Sequence, residues 1–359
     1  MTSIRPLPVT IDEITLGWLT AALRRREPDV TVRAVEIVDI IHGTCTKIRL
    51  RLDMDQAGKR AGIPETVILK GGFEPHSRDM DYMHAMEVRG YRDILPVLGL
   101  PCPTPYFADF DPERRQGIVI IEDLVARGVE FCNPLVPQTH DQVARRLSEL
   151  AQFHAKTWAS PELRSGGRWS EVPELMDLLG HFAHYLQPET WQRFVALPQG
   201  AAASVRFHDR TWVASALERI VVLAKRLPQA ILHTDTHLGN LYIDRDGTPG
   251  FFDSLSSRGP AMLEVTYHVT CALDTADRPR WEGALVRHYL DELSRNGVDA
   301  PSFDEAMRQF GIFLAYGYLV FIINETYYQS SSVNTAYTAR FSSAMLDHGT
   351  IGLLAAINP

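Results

Sequence analysis

The sequence contains no G-x-x-x-x-G-K-[ST] loop, no C-x-x-C pair, no internal repeat, no low-complexity tract and no long run of like charge. The first absence argues against a Walker-type nucleotide hydrolase, whose glycine-rich loop cradles phosphates with backbone N–H groups. The four cysteines, Cys45, Cys102, Cys132 and Cys271, are scattered and fit reduced thiols better than a disulfide framework. A formal net charge of −8 at pH 7 disfavours nucleic acid or an anionic membrane as partner, since both select basic patches. The longest apolar run, Ile312–Ile323, has twelve residues with Gly317 among them, short of the ~20 that span a bilayer. No signal-peptide pattern is read, because Asp12 and Glu13 interrupt the N-terminal stretch and Arg24–Arg26 follow the apolar residues instead of preceding them. A soluble, cytoplasmic protein is expected.

What is present is an ordinary globular composition, 45% apolar and 22% charged, in 359 residues, enough for two lobes with cores of their own. The chemistry is concentrated between Ile231 and Asp253. Ile231-Leu232 leads into His233-Thr234-Asp235, and Asn240 follows five positions later. Asp246-Gly247 between the apolar runs Leu241–Ile243 and Pro249–Phe252 predicts a hairpin, which delivers Asp253 thirteen positions after Asn240. Oxygen ligands of this kind suit Mg²⁺, and a further carboxylate can orient a hydroxyl and accept its proton, as phosphoryl transfer requires. The kinase catalytic loop H-R-D-x-x-x-x-N keeps its His, Asp and Asn here as His233, Asp235 and Asn240, with Thr234 at the arginine position. A rival reading is a metal-dependent hydrolase. His233, Asp235 and His237 alternate, so on a strand they would share one face and could ligate zinc. That reading leaves Asn240 and Asp253 unexplained.

His233-x-Asp235-x-His237-x-x-Asn240, followed by Asp253 and Gly259-Pro260, resembles the aminoglycoside phosphotransferase and choline kinase superfamily. The longer pattern from Arg258 through Tyr267 to Leu273-Asp274-x-x-Asp277-Arg278 is similar to its bacterial ecdysteroid-kinase-like branch. The resemblance implies an α+β, protein-kinase-like bilobal fold. Residues 1–121 would form a nucleotide-binding lobe with a mixed or antiparallel sheet and a helix, 122–126 a linker, and 127–359 a mainly helical catalytic and acceptor-binding lobe. ATP and Mg²⁺ are the implied cofactors, and a small hydroxylated molecule the acceptor. Asp235 would be the base, His233 would support the loop, and Asn240 and Asp253 would hold the metal. The resemblance also carries a phosphate-contacting lysine onto Lys70, at the end of the strand Thr66–Lys70, and its glutamate partner onto Glu87 in a helix expected over 79–95. Base recognition falls on Glu122, Asp123 and Leu124 by position. Gly43, in the turn between strands expected over 34–41 and 45–52, would lie over the phosphates.

Elsewhere, Thr10–Glu13 and Thr139–Gln142 both read as capping boxes that start helices. Residues 53–64 read as a loop, 105–110 and 117–124 as strands, and 173–186, 191–227, 281–295 and 303–326 as largely helical. His154, on the helix with Leu150 and Trp158, reads as a hydrogen-bonded core residue. The superfamily pattern has an aromatic where Ser254 stands and an Asp near Glu264. These departures make a nucleotide-binding pseudokinase the chief alternative. Phe313, Tyr316, Tyr318, Phe321, Tyr327 and Tyr328 read either as a core helix or as the wall of an apolar acceptor pocket, with Glu325 the one acid from Phe310 to Tyr328. A lipophilic, sterol-like acceptor is what the branch resemblance implies.

Overall fold

The computed structural model describes residues 4–358. The chain forms two compact units: the first runs to Glu130 and takes back Asp244–Asp246 and Phe251–Ser256, and the second comprises the rest.

The first unit contains α1 (Leu16–Leu23), β1 (Val32–Ile41), β2 (Thr46–Met54), α2 (Gln56–Arg60), β3 (Thr66–Gly71), α3 (Asp81–Arg89), α4 (Leu95–Leu98), β4 (Pro105–Asp111), β5 (Gln116–Glu122) and α5 (Leu124–Arg127). Its five strands pair antiparallel in the order β1-β2-β3-β5-β4. Side chains alternate across a strand, so Ile48, Leu50 and Leu52 of β2 and Val67 and Leu69 of β3 bury one face with Leu19, Ala22 and Leu23 of α1. The face left over carries Lys47, Arg49 and Lys70. The expected capping box at Thr10 is not what starts α1. Thr10 makes no side-chain cap bond, Ile11–Glu13 is a 3₁₀ turn, and Thr15 caps the helix by accepting from Trp18 N. The Glu13 carboxylate is engaged instead by Val9 N–H and Arg114. Within the stretch expected to be a loop, Asp55 caps α2 through Gly58 N at 3.0 Å.

The helix expected over 79–95 is segmented. A 3₁₀ turn, Ser77–Met80, precedes α3, and a π-helical turn, Gly90–Ile94, follows it before α4 stops at Gly99, whose φ is +68°. Pro96 supplies the physical reason, because it has no N–H to bond the carbonyl four residues back and its ring crowds that carbonyl.

Past β6 (Glu130–Phe131), the second unit contains α6 (His140–Ala155), α7 (Pro188–Ala196), α8 (Pro198–Ala201), α9 (Arg210–Arg226), β7 (Ala230–Leu232), β8 (Leu241–Ile243), β9 (Pro249–Phe251), β10 (Ser257–Gly259), α10 (Ala261–Ala272), α11 (Arg278–Arg295), α12 (Phe303–Ile322), α13 (Ser331–Asp347) and α14 (Thr350–Ala355). The Thr139–Gln142 capping box is present in both directions. Residues Leu175–His184 are 3₁₀, not α-helical. β8 and β9 form the expected hairpin, and Gly247 takes the positive φ, +85°, that its turn requires. β7 and β10 pair antiparallel, Ile231 opposite Arg258, and so fix both ends of the segment that bears the motif. Among the described residues no helix is long and apolar enough to cross a membrane.

Candidate functional site

In the second unit, the motif begins where β7 ends. Glu264, 1% exposed on α10, collects the backbone there: its Oε2 accepts from His233 N at 3.1 Å and its Oε1 from Thr234 N at 2.5 Å. His154 Nε2 meets the same carboxylate at 2.8 Å, and His154 Nδ1 meets Tyr289 OH at 2.8 Å. His154 is therefore the hydrogen-bonded core residue expected, and Glu264 is the anchor of the loop. Burial opposes the Glu264 charge, but His154, His233 and the Thr234 N–H hold its carboxyl below the usual range. Thr234 is held at φ +83°, a strained conformation for a β-branched residue.

That turn presents Asp235, whose side chain is 29% exposed between buried neighbours. Tyr267 OH donates to its Oδ1 at 3.0 Å, and Asn240 Nδ2 donates to its Oδ2 at 2.8 Å and to its carbonyl at 3.0 Å. The Asn240 carboxamide oxygen thus points away from these bonds. His237 Nε2 lies 3.5 Å from Asp235 Oδ2. Burial raises the Asp235 pKa, yet His237, His233 and the Tyr267 hydroxyl bring it below the ordinary value, so the carboxylate is ionised at neutral pH. His233 Nδ1 accepts from Asp235 N at 3.3 Å, which ties the loop to itself.

His233, Asp235 and His237 do not line one strand face. β7 stops at Leu232, His233 is 1% exposed, and His237 caps the 3₁₀ turn Leu238–Asn240 by accepting from Gly239 N. Among the described residues no three His, Cys, Asp or Glu gather as a metal ion needs. The aromatic residues of α12 resolve toward packing: Phe313, Tyr316, Tyr318 and Phe321 are buried, and Phe321 stacks on Tyr267 with ring centroids 5.5 Å apart, whereas Tyr327, beyond the helix, is exposed and Tyr328 half-buried.

In the first unit, Lys70 is 3% exposed and its ammonium donates to Glu87 and, at 2.6 Å, to Asp253 Oδ1. Glu74, the other acid near Lys70 in the sequence, is engaged by Thr46 and His42 at 2.6 and 2.8 Å. Lys47 Nζ reaches Asp253 Oδ2 at 2.8 Å. Asp253 is buried enough to disfavour its charge, but Lys47 and Lys70 hold its carboxyl far below the usual carboxylate range. Its φ is +58° and its N–H donates to Tyr91 OH at 3.3 Å. Tyr91, on the π turn, thereby places an aromatic ring beside Asp253 although residue 254 is serine. Ser254 and Ser256 bond each other at 2.9 Å, and a Cβ on Gly90 would come within 3.0 Å of Ser256 Oγ, so small residues let this turn pack closely.

Gly43 sits between β1 and β2, its carbonyl bonded to His76 Nε2 at 3.1 Å. A Cβ there would come no nearer than 3.7 Å to Cys45 O, so local packing does not itself demand glycine. Glu122 pairs with Arg127, and Asp123 takes a two-pronged bond from Arg49 at 2.9 and 2.8 Å while capping α5. Leu124 is buried. The side chains of 122–124 are thus engaged within the protein.

Glu264, Tyr267, Tyr91 and Lys47 carry site geometry that sequence reasoning did not assign. For Lys47 a signal existed: the β2 alternation sets it opposite the core face, and pairing with β3 brings it beside Lys70.

The chain resembles known proteins in sequence pattern and in fold. The family model described as phosphotransferase enzyme family matches residues 77–300. No curated protein sequence matches. Among solved structures, choline kinase from Cryptosporidium parvum Iowa II superposes with a TM-score of 0.55 at 12% identity, covering 96% of this chain and 99% of its own. Plasmodium vivax ethanolamine kinase gives 0.53 at 12% identity, over 88% of this chain and 82% of its own. Amicoumacin kinase hAmiN, solved with AMP-PNP, Ca²⁺ and Ami, gives 0.51 at 13% identity over 88% and 89%. The α+β fold is thus protein-kinase-like, and the chain belongs to the phosphotransferase enzyme family, within the superfamily of aminoglycoside phosphotransferases and choline kinases that transfer phosphate to the hydroxyl of a small molecule.

Proposed function

We propose that this chain is a cytoplasmic, ATP- and Mg²⁺-dependent kinase that transfers the γ-phosphoryl group to a hydroxyl of a small lipophilic acceptor. The observation that carries the reading is the Asp235 carboxylate: ionised, partly exposed, and held at both oxygens by Tyr267 and Asn240. A carboxylate so fixed can accept a hydrogen bond from an acceptor hydroxyl and aim that oxygen at phosphorus. As the O–P bond forms and the bond from the γ-phosphorus to its bridging oxygen breaks, Asp235 takes the hydroxyl proton. A carboxylate of low pKa suffices, because in a loose transfer little of the proton need move before the transition state.

The residues fit the cofactors. The two ammonium groups on Asp253 together carry the charge of one divalent cation at a carboxylate of the kind Mg²⁺ prefers. Asn240, with its amide nitrogen committed to Asp235, leaves a carboxamide oxygen of the kind that also suits Mg²⁺. Bound Mg²⁺ would neutralise phosphate charge. Lys70, fixed by Glu87, would hold the α- and β-phosphates, Gly43 would admit the phosphates near its backbone, and His233 would keep the loop in shape. The stretch 122–126 would link 1–121 to 127–359 and offer backbone groups to the base, since the Glu122 and Asp123 side chains are already paired. The AMP-PNP in the amicoumacin kinase structure supports nucleotide use.

The departures that favoured a pseudokinase lose their force here, because Tyr91 supplies the ring and Glu264 anchors the loop. For the acceptor, the Arg258–Arg278 pattern supports the ecdysteroid-kinase-like branch and hence a hydroxylated lipophilic molecule. The buried aromatics of α12 do not bear on it. ATP consumption with Mg²⁺ against hydroxylated steroids, amino alcohols and aminoglycosides tests the reading. Turnover with a steroid or similar lipophilic alcohol is expected; turnover only with aminoglycosides overturns the acceptor class, and none with any alcohol overturns the kinase.

A further inference from the structure

Three basic residues alternate on the polar face of β2, and each has a different fate. Arg49 grips Asp123 with both prongs of its guanidinium at 2.9 and 2.8 Å, and Arg51 pairs with Glu36. Lys47 alone of the three reaches the proposed metal-binding carboxylate, Asp253 Oδ2, at 2.8 Å. Its Cα stands opposite that of Lys70 across the β2–β3 ladder. Like charges directly opposite on a ladder repel, so the pair is tolerable because one carboxylate lies between them, Lys70 taking Oδ1 and Lys47 taking Oδ2.

The two lysines are not held alike. Lys70 is 3% exposed and shares its charge with Glu87, whereas the Lys47 side chain is 34% exposed. A divalent cation that binds Asp253 competes with the two ammonium groups for its oxygens and repels them. Lys70 retains Glu87 when that happens; the ion pair recorded for Lys47 is with Asp253. Its flexible four-carbon stem and compact charge can swing to new acceptors, as the planar fork of an arginine at a structural pair cannot. We infer that Lys47 is a second phosphate-binding lysine, which exchanges Asp253 for phosphate oxygens of the nucleotide once that carboxylate serves a divalent cation. The inference rests on the nucleotide-dependent function proposed above and adds a residue to it. Electrostatically, Glu87 and Asp253 offset Lys47 and Lys70 one for one, so without Lys47 the cluster would meet an anionic metal–triphosphate with excess negative charge.

Equilibrium binding separates this role from a merely structural pin. Titration calorimetry of the full chain with ATP, ADP and adenosine, each with Mg²⁺, is compared for wild type, Lys47→Met and Lys47→Gln. A lost charge-assisted bond to phosphate at a partly exposed site raises Kd about tenfold for ATP and ADP, and adenosine affinity should not change. A native-chain measurement needs no variant: amine acylation of Lys47, read by mass spectrometry, should slow with ATP and not with adenosine. Unchanged ATP affinity in both variants overturns the inference, as does equal weakening for adenosine, which marks a structural role. If the wild type binds ATP and the variants match it, Lys47 alone is misassigned; if the wild type binds no nucleotide, the proposed function fails and takes this inference with it.

Discussion

Replacing Glu264 by Gln changes one oxygen to an amide and removes one charge, and the structure says what that costs. The carboxylate accepts two backbone N–H groups and His154, all in a buried setting. Hydrogen bonds to a charged partner contribute about 1.5–3 kcal/mol, and a buried donor left without an acceptor costs about 1–3 kcal/mol. Gln keeps one acceptor, turns its NH₂ toward a donor and weakens the others, so a loss of about 3–4 kcal/mol is expected. The effect should not stop at stability. Thr234 stays at φ +83° against a strain of about 1–3 kcal/mol because Glu264 takes its N–H. Once released, the turn relaxes and moves Asp235, and misplacement by about 1 Å lowers turnover about a hundredfold. Urea unfolding of wild type and Glu264→Gln at pH 7.5, with transfer rates on the same preparations, measures both. Because the folded pKa of Glu264 lies below its unfolded value of 4.5, its contribution is complete above that pH and is lost as pH falls through the folded value. The two proteins should therefore converge at acid pH. A loss under about 1 kcal/mol at pH 7.5, or a difference that does not shrink as pH falls below 4.5, refutes the reasoning.

Two further outcomes follow from burial. His268 is fully buried, with Nδ1 on Thr236 O at 3.0 Å, and desolvation pulls its pKa from 6.5 down to about 4. The unfolded chain then binds the extra proton between those values, so stability falls as pH drops below 6.5, by about 2 kcal/mol at pH 5 from this residue. His268→Gln should flatten the melting temperature between pH 6.5 and 5, and an equal slope in wild type and variant contradicts this. Gly317→Ala would set a Cβ 2.1 Å from the Phe341 ring where α12 meets α13, and overpacking of about 1–3 kcal/mol should show as a lower denaturant midpoint. An unchanged midpoint counts against the packing.

The parts of the fold that rest on local pattern were legible in the sequence. The strand expected over 45–52, the Asp246-Gly247 hairpin and the Thr139 capping box each depend on neighbouring residues, and each forms. Where a distant partner intervened, local reading failed. Arg114 engages Glu13 and the helix start shifts to Thr15, while Pro96 opens the expected long helix into a π turn. Within the site, the pattern singled out Asp235, Asn240 and Asp253 because their spacing along one segment is local. Glu264, Tyr267 and Tyr91 escaped assignment because their value lies in which distant atom they touch. Lys47 went unassigned because register with β3, not alternation alone, puts it beside Lys70. Of the aromatic side chains read as pocket or core, the four on α12 are core and Tyr327 is exposed, since periodicity cannot say what covers a helix face.

The measurement closest to the central claim follows labelled γ-phosphate from ATP to a hydroxylated acceptor, with Mg²⁺, in wild type and Asp235→Asn. Asn keeps the shape, with its oxygen free to accept from Asn240 and its NH₂ to donate to a turned Tyr267 hydroxyl, but it cannot take the proton. Transfer by the wild type, its abolition in the variant, and equal ATP affinity in both are the results expected. Near-normal transfer by Asp235→Asn would contradict the account.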